Sequence, residues 1–238
     1  MGVNIGSTSV SGLYLGSTEV TSAYIGSTKV YEKVAPTPTS VVIGGKTYPC
    51  ALMPDGNVWL TVNLDYAWSG LSVPTSGASA SSNPQAMYYN YDESTYGWNG
   101  YKCGLLYNRY AVDYLEQNKA TLCPGWHVPT YTEWDAFLTA AGGATGEDGT
   151  KLKALDEACS NSFPMDWNGT DDYGFGVLPA GYFYNSFKDV GRSSGFWSSS
   201  RYGYVFNAGA YVSKNDTRET TQFPVRLVMD QSYVGPGA

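Results

Sequence analysis

The chain has 238 residues and a formal charge of −7, with 14 Lys and Arg against 21 Asp and Glu. Its 42% apolar content excludes a disordered chain, and its charged fraction of 15% lies well below the roughly 25% of an ordinary soluble protein. The few basic residues are scattered and no apolar run approaches the ~18 residues a membrane span needs, so neither nucleic-acid binding nor membrane insertion is expected.

The first thirty residues repeat with a ten-residue period. Ile5-Gly6-Ser7-Thr8, Leu15-Gly16-Ser17-Thr18 and Ile25-Gly26-Ser27-Thr28 recur in step, followed by Val10, Val20 and Val30. Each unit reads as two short strands around a Gly-Ser-Thr turn, and together as a small β-meander. Residues 1–34 cannot bury a core of their own, so they need a partner surface. The start has no basic or apolar leader, so no secretory signal is expected. Residues 35–40, a Pro/Thr run, read as a stiff linker. The main domain is expected over 41–230 and a flexible tail over 231–238, with an exposed Ser/Gly/Ala-rich loop from Ser69 to Asn83.

Within the main domain the spacing of Tyr107, Ala111, Tyr114, Leu115 and Asn118 predicts a helix over about 107–119. A second begins after Pro129: Thr130 and Glu133 form a capping box, Trp134, Phe137, Leu138 and Ala141 an apolar face, and Gly142-Gly143 a stop. A third short helix is placed near 151–158. The rest reads as strand and loop, which makes the class α+β. Trp59, Trp126, Trp134, Phe175, Leu178 and Val225 are assigned to the core. Cys50, Cys103, Cys123 and Cys159 read as buried thiols, their pairing left open; a zinc site is not expected with one His and no Cys-x-x-Cys.

Catalytic constellations are weak. His127 lacks a matched nucleophile and reads as a turn residue bonded to backbone. Asp65, Asp92, Glu93, Glu133 and Asp135 are carboxylates that nothing pairs across a cleft. The oxygen-rich run Asp166 to Asp172 leaves a calcium ion open but lacks the Gly and distal Glu of a calcium-binding hand. No other metal or cofactor is expected.

Trp197 to Thr221 is the informative stretch. Tyr, Ser, Asn, Gly and Arg dominate it, the palette of antibody-like binding loops, where rigid rings supply area and small polar groups adapt. A plain solvated hairpin fits the same composition.

Six ordered motifs point further. They are Asn57-Val58-Trp59-Leu60 with Asn63-Leu64, Tyr107 to Val112, Cys123 to Thr130 with Glu133-Trp134, Gly174 to Tyr182, Gly195 to Ser200, and Phe223 to Val228. Over about 41–230 the chain thereby resembles the Fibrobacter succinogenes major paralogous domain, a bacterial extracellular module. The resemblance implies a C-type-lectin-like domain with two main helices and twisted antiparallel sheets, related to formylglycine-generating enzymes and phage tropism-determining proteins. The Gly-Ser-Thr repeats resemble modules of phage tail and virion proteins. Together these imply a phage receptor-binding protein of the virion, similar to the variable proteins of diversity-generating retroelements. The diversified surface would then lie between Trp197 and Thr221, ahead of a fixed strand from Phe223 to Val228.

The expectation is therefore a non-catalytic binding protein. Its ligand-binding residues are Trp197, Ser199, Arg201, Tyr202, Tyr204, Asn207, Tyr211, Ser213, Asn215, Asp216, Arg218, Glu219 and Thr221. Its partners are a host-surface protein or glycan receptor and, through the repeats, other virion proteins; a homotrimer is compatible with them. A bacterial adhesin or carbohydrate-binding module is the alternative. A formylglycine-type enzyme is disfavoured, because it would need a reactive cysteine pair near the C-terminal end and no Cys follows Cys159.

Overall fold

The computed structural model describes the backbone and side chains of residues 37–92, 103–142, 149–155 and 167–231, and the backbone alone of short strands at 4–5, 8–9, 14–15, 18–19, 22–25, 28–32, 97–98 and 101–102. The chain divides into two compact units, one from Met1 to Pro36 and another from Thr37 to Gly235. In the first, antiparallel pairs follow the ten-residue repeat: β1 (Asn4–Ile5) with β2 (Thr8–Ser9), β3 (Tyr14–Leu15) with β4 (Thr18–Glu19), and β5 (Ser22–Ile25) with β6 (Thr28–Glu32). Each unit makes its own two-stranded sheet. The Gly-Ser positions of the turns, like Cys159, Asp166 and the tail beyond Gln231, lie outside the described residues.

The second unit is mixed α+β, mostly curled antiparallel sheet with few helices. β7 (Ser40–Ile43), β8 (Lys46–Leu52) and β9 (Val58–Leu60) open it. β10 (Ala86–Met87) follows the exposed 69–83 loop, the short pair β11 (Gly97–Trp98) and β12 (Tyr101–Lys102) comes next, and β13 (Leu106–Asn108) leads into α1 (Arg109–Gln117) and α2 (Lys119–Leu122). β14 (Trp126–His127) precedes α3 (Tyr131–Ala140). The remaining strands are β15 (Tyr182–Phe183), β16 (Phe187–Lys188), β17 (Ser193–Trp197), β18 (Tyr202–Asn207), β19 (Val212–Asp216), β20 (Gln222–Phe223) and β21 (Val228–Met229). They form two five-stranded sheets, β10-β13-β20-β15-β16 and β14-β21-β9-β8-β7, and a three-stranded sheet β17-β18-β19.

The helix starts follow local chemistry. Thr130 and Glu133 make the reciprocal capping box the sequence predicts, and Gly142 takes φ 88° just past the end of α3. α1 starts later than the spacing implies. Asn108 is its N-cap, with Oδ1 accepting from the Ala111 N–H at 2.9 Å, and Tyr107 is left in β13. The same Asn108 amide donates to Ser81 and Asn83 carbonyls and so pins the end of the long loop. The expected third helix is reduced to a 3₁₀ turn over Thr150–Leu152, because Lys153 leaves it to bridge Val177; residues 156–158 are outside the described set.

All six residues assigned to the core are buried. One apolar cluster joins α3 to the three-stranded sheet, with Trp134 between Trp59, Phe196 and Tyr204; another surrounds α1 and includes Trp126, Trp197 and Val225. Cys50 and Cys123 are buried free thiols, and Cys103 is buried too.

The expected strand from Phe223 to Val228 is not one strand. Phe223 pairs with Tyr107 in one five-stranded sheet and Val228 with Trp59 in the other. Between them Pro224, which has no N–H for a ladder, starts a crossing held by Leu64 N–H to Val225 O at 2.8 Å and Leu60 N–H to Leu227 O at 3.0 Å. Arg226, fully buried in that crossing, donates to Asn63 Oδ1 at 2.7 Å and to the carbonyls of Leu60, Phe175 and Gly176, with Phe175's ring against its guanidinium. Burial lowers its pKa to about 9, against the opposing charge of Asp171.

Candidate functional site

The stretch from Trp197 to Thr221 forms the end of β17, all of β18 and β19, and the loop to β20. Its first turn is fixed from below. Arg109 on α1 donates to the carbonyls of Ser198 and Ser199 at 2.9 and 2.6 Å and pairs with Asp113. The Ser199 N–H reaches Pro129 O, and Arg201 takes φ 73° at the reversal into β18.

Alternation along β18 and β19 then sorts the expected residues onto different surfaces. Arg201, Tyr202, Tyr211, Asn215, Asp216, Arg218 and Glu219 are exposed, and Ser199, Asn207 and Ser213 are half-buried. Three expected contacts are instead interior. Trp197 is fully buried, its indole N–H donating to Tyr107 O at 2.7 Å, because β17 runs between the two clusters. Tyr204 is fully buried, stacked on Trp134 with ring centroids 5.4 Å apart, because its side of β18 faces α3. Thr221 is buried where the loop closes onto β20. Trp197 and Tyr204 hold the surface in place and do not form it, and Thr221 closes its edge.

The α3 side of the sheet carries a cluster that sequence reasoning missed. Lys214 Nζ lies 2.8 Å from Asp135 Oδ2 and over the rings of Tyr131 and Tyr202 at 4.5 and 5.0 Å. Tyr204's hydroxyl donates to Asp135 Oδ1 at 2.7 Å. Burial first, and then Asp135's hydrogen bond and charge, push that hydroxyl's pKa up. The signal was available only in part: Tyr204 and Lys214 face each other across the ladder, but α3's approach is a tertiary fact.

The opposite side of the sheet borders a cavity of about 330 Å³. Its lining joins Asn207, Asn215 and Thr221 from the expected set to residues the sequence did not nominate: Tyr182, Tyr184, Asp189, Ser193 and Phe223 among them. Phe223's ring lies over two strand glycines. A β-carbon on Gly195 would sit 2.2 Å from it and one on Gly203 2.6 Å. Glycines inside strands signal such a close approach, so this contact had a trace in the sequence. Burial, followed by Asp189's charge and hydrogen bond, raises the pKa of Tyr182.

His127 differs from its expected backbone-bonded turn. It lies in β14, and its ring bridges two carboxylates, Nδ1 to Asp230 at 2.6 Å and Nε2 to Glu133 at 2.9 Å. Burial pulls its pKa down, but the hydrogen bonds and charges of Glu133 and then Asp230 outweigh that and raise it. Glu133 is lowered to about 2: burial opposes the shift, and His127 with the Thr130 cap overcomes it. Of the oxygen-rich run, Asp171 accepts from the Gly176 N–H at 2.8 Å and the Trp167 indole donates to Val177 O. Among the described residues no group of three or more His, Cys, Asp and Glu is placed to hold a metal ion, and no helix is long and apolar enough to cross a membrane.

The family model of the Fibrobacter succinogenes major domain matches residues 55–229. No curated protein and no solved structure matches the chain.

Proposed function

The chain belongs to the Fibrobacter succinogenes major domain family, and from that premise we propose that it is a non-catalytic receptor-binding protein, built on a C-type-lectin-like frame, that a phage tail carries to a host-surface protein or glycan. The β18–β19 surface and the loop after it are the contact region, diversified at the codon level by a retroelement. The N-terminal repeats join other virion proteins, with a trimer as the fitting assembly.

One observation carries the reading. Seven of the expected side chains, from Arg201 to Glu219, stand in solvent, while Trp197, Tyr204, Phe206, Val212 and Thr221 within the same stretch are buried anchors. Exposed positions away from packing change stability by roughly 0.5 kcal/mol or less, so that surface tolerates substitution while its frame stays fixed. The groups a catalyst would use support the same side: Glu133 caps a helix, His127 is clamped between carboxylates, and Asp135 binds Tyr204 and Lys214.

The test is at the gene. A nearby near-copy of the segment encoding Trp197 to Thr221, differing mainly at adenines, is expected, with its differences at codons for Arg201, Tyr202, Tyr211, Asn215, Asp216, Arg218 and Glu219. Differences concentrated at Trp197, Tyr204 and Thr221, or no near-copy, would reject the diversified-surface reading.

A further inference from the structure

We infer that the cavity between the three-stranded sheet and β15 is a calcium-independent binding site for a neutral sugar ring, the terminal residue of an uncharged glycan. The inference deepens the receptor-binding reading by naming a ligand class for part of that surface, and it rests on that reading. Its evidence lies in the cavity.

The floor is aromatic. Phe223's ring rests on Gly195 and Gly203, with Tyr182 set edge-on to it at 5.8 Å between centroids, and Tyr184 also lines the space. Phe223, 4% exposed, backs this floor, and the half-buried rings of Tyr182 and Tyr184 offer the apolar C–H faces of a pyranose a flat surface. The walls are hydroxyls and amides. Ser193 and Asn207 face each other across the β17–β18 ladder. Ser193's hydroxyl is fully buried without a hydrogen-bond partner among the described residues. A buried hydroxyl left unpaired costs about 1–3 kcal/mol, and a ligand hydroxyl reaching it relieves that cost. Asn215 and Thr217 continue the polar wall toward the mouth.

Charge narrows the class. Asp189 is the one charged residue among those lining the cavity, so no lining cation meets a carboxylate or phosphate. Asp189 disfavours an acidic or phosphorylated ligand inside the cavity, the guanidinium of Arg218 standing outside the lining over the Tyr184 ring at 5.5 Å, whereas a neutral ring donates hydroxyl protons to Asp189. About 330 Å³ lies at the small end of the ~300–1,000 Å³ of ligand pockets, which suits one or two rings and not an extended chain.

Saturation-transfer NMR on the full chain, with glucose, galactose, mannose, N-acetylglucosamine, fucose and rhamnose as probes, tests it. N-acetylneuraminic acid serves as the charged control, and every sample is run once in EDTA and once in excess calcium. At least one neutral sugar is expected to receive saturation. Asn207→Ala is expected to weaken that binding about tenfold, the scale of one or two lost hydrogen bonds. Asn215→Trp, at an exposed position of the mouth, is expected to abolish it without disturbing the fold. Transfer to no neutral sugar, transfer that survives both substitutions, transfer that needs calcium, or a preference for the acidic sugar would each overturn the inference. The readout uses isolated protein and needs no diversified gene, so it fails or succeeds separately from the gene comparison.

Discussion

The Tyr204 hydroxyl donates to Asp135 Oδ1 over 2.7 Å, while the other oxygen of the same carboxylate holds Lys214 at 2.8 Å. One helix residue thus grips two adjacent strands. Tyr204→Ala removes a buried ring stacked on Trp134 and is expected to cost about 3–5 kcal/mol. Tyr202→Ala, at a ring 38% exposed, loses its part in the Lys214 contact and is expected to cost about 1 kcal/mol or less. Urea unfolding of the two single variants checks the contrast; equal losses would mean that both rings are anchors.

Gly195 and Gly203 are expected to resist even a methyl group. Gly195→Ala drives a β-carbon into Phe223, and overpacking of this kind costs about 1–3 kcal/mol. Adding Phe223→Leu should recover part of that loss, so thermal unfolding of the double variant should fall short of the sum of the singles.

Arg226 is held by four neutral oxygens in the interior. Lysine carries the charge but not the planar fork, so it leaves several of those acceptors unsatisfied. Arg226→Lys is expected to lose at least about 2 kcal/mol in chemical denaturation, and a near-neutral result would show that the guanidinium geometry is dispensable.

The His127 bridge gives stability a pH dependence whose two limbs have opposite causes. His127's pKa is raised on folding, so its contribution is full below its ordinary 6.5 and disappears as pH rises through the raised value. Glu133's is lowered, so its contribution is present above its ordinary 4.5 and is lost as pH falls toward about 2. Melting temperature should therefore decline on both sides of the interval between them. His127→Gln should flatten the alkaline decline and weaken the acidic one.

Much of the frame was legible because local chemistry dictates it. The Thr130–Glu133 box, the start of α3 and the buried tryptophans depend on near neighbours and on apolarity. The stretch from Trp197 to Thr221 was legible in composition but not in orientation. Tyr202 and Tyr204 share the face of β18 that receives α3, and how far along the strand α3 covers that face, which leaves Tyr202 at the end exposed and Tyr204 buried, is encoded nowhere within residues 197–221. His127 was misread for the same reason, since Asp230 lies more than a hundred positions away. The cavity draws on segments as distant as Tyr182 and Phe223, so only the strand glycines hinted at it.

The crossing from Phe223 to Val228 ties the two larger sheets together, and it is made after every strand it joins. A ribosome that has released only the residues before Thr221 has delivered strands whose central neighbours do not yet exist. The domain therefore acquires its cooperative fold late in synthesis. Chains cut short ahead of that segment should be targets for proteases, and the β18–β19 surface is displayed only on molecules that have been finished.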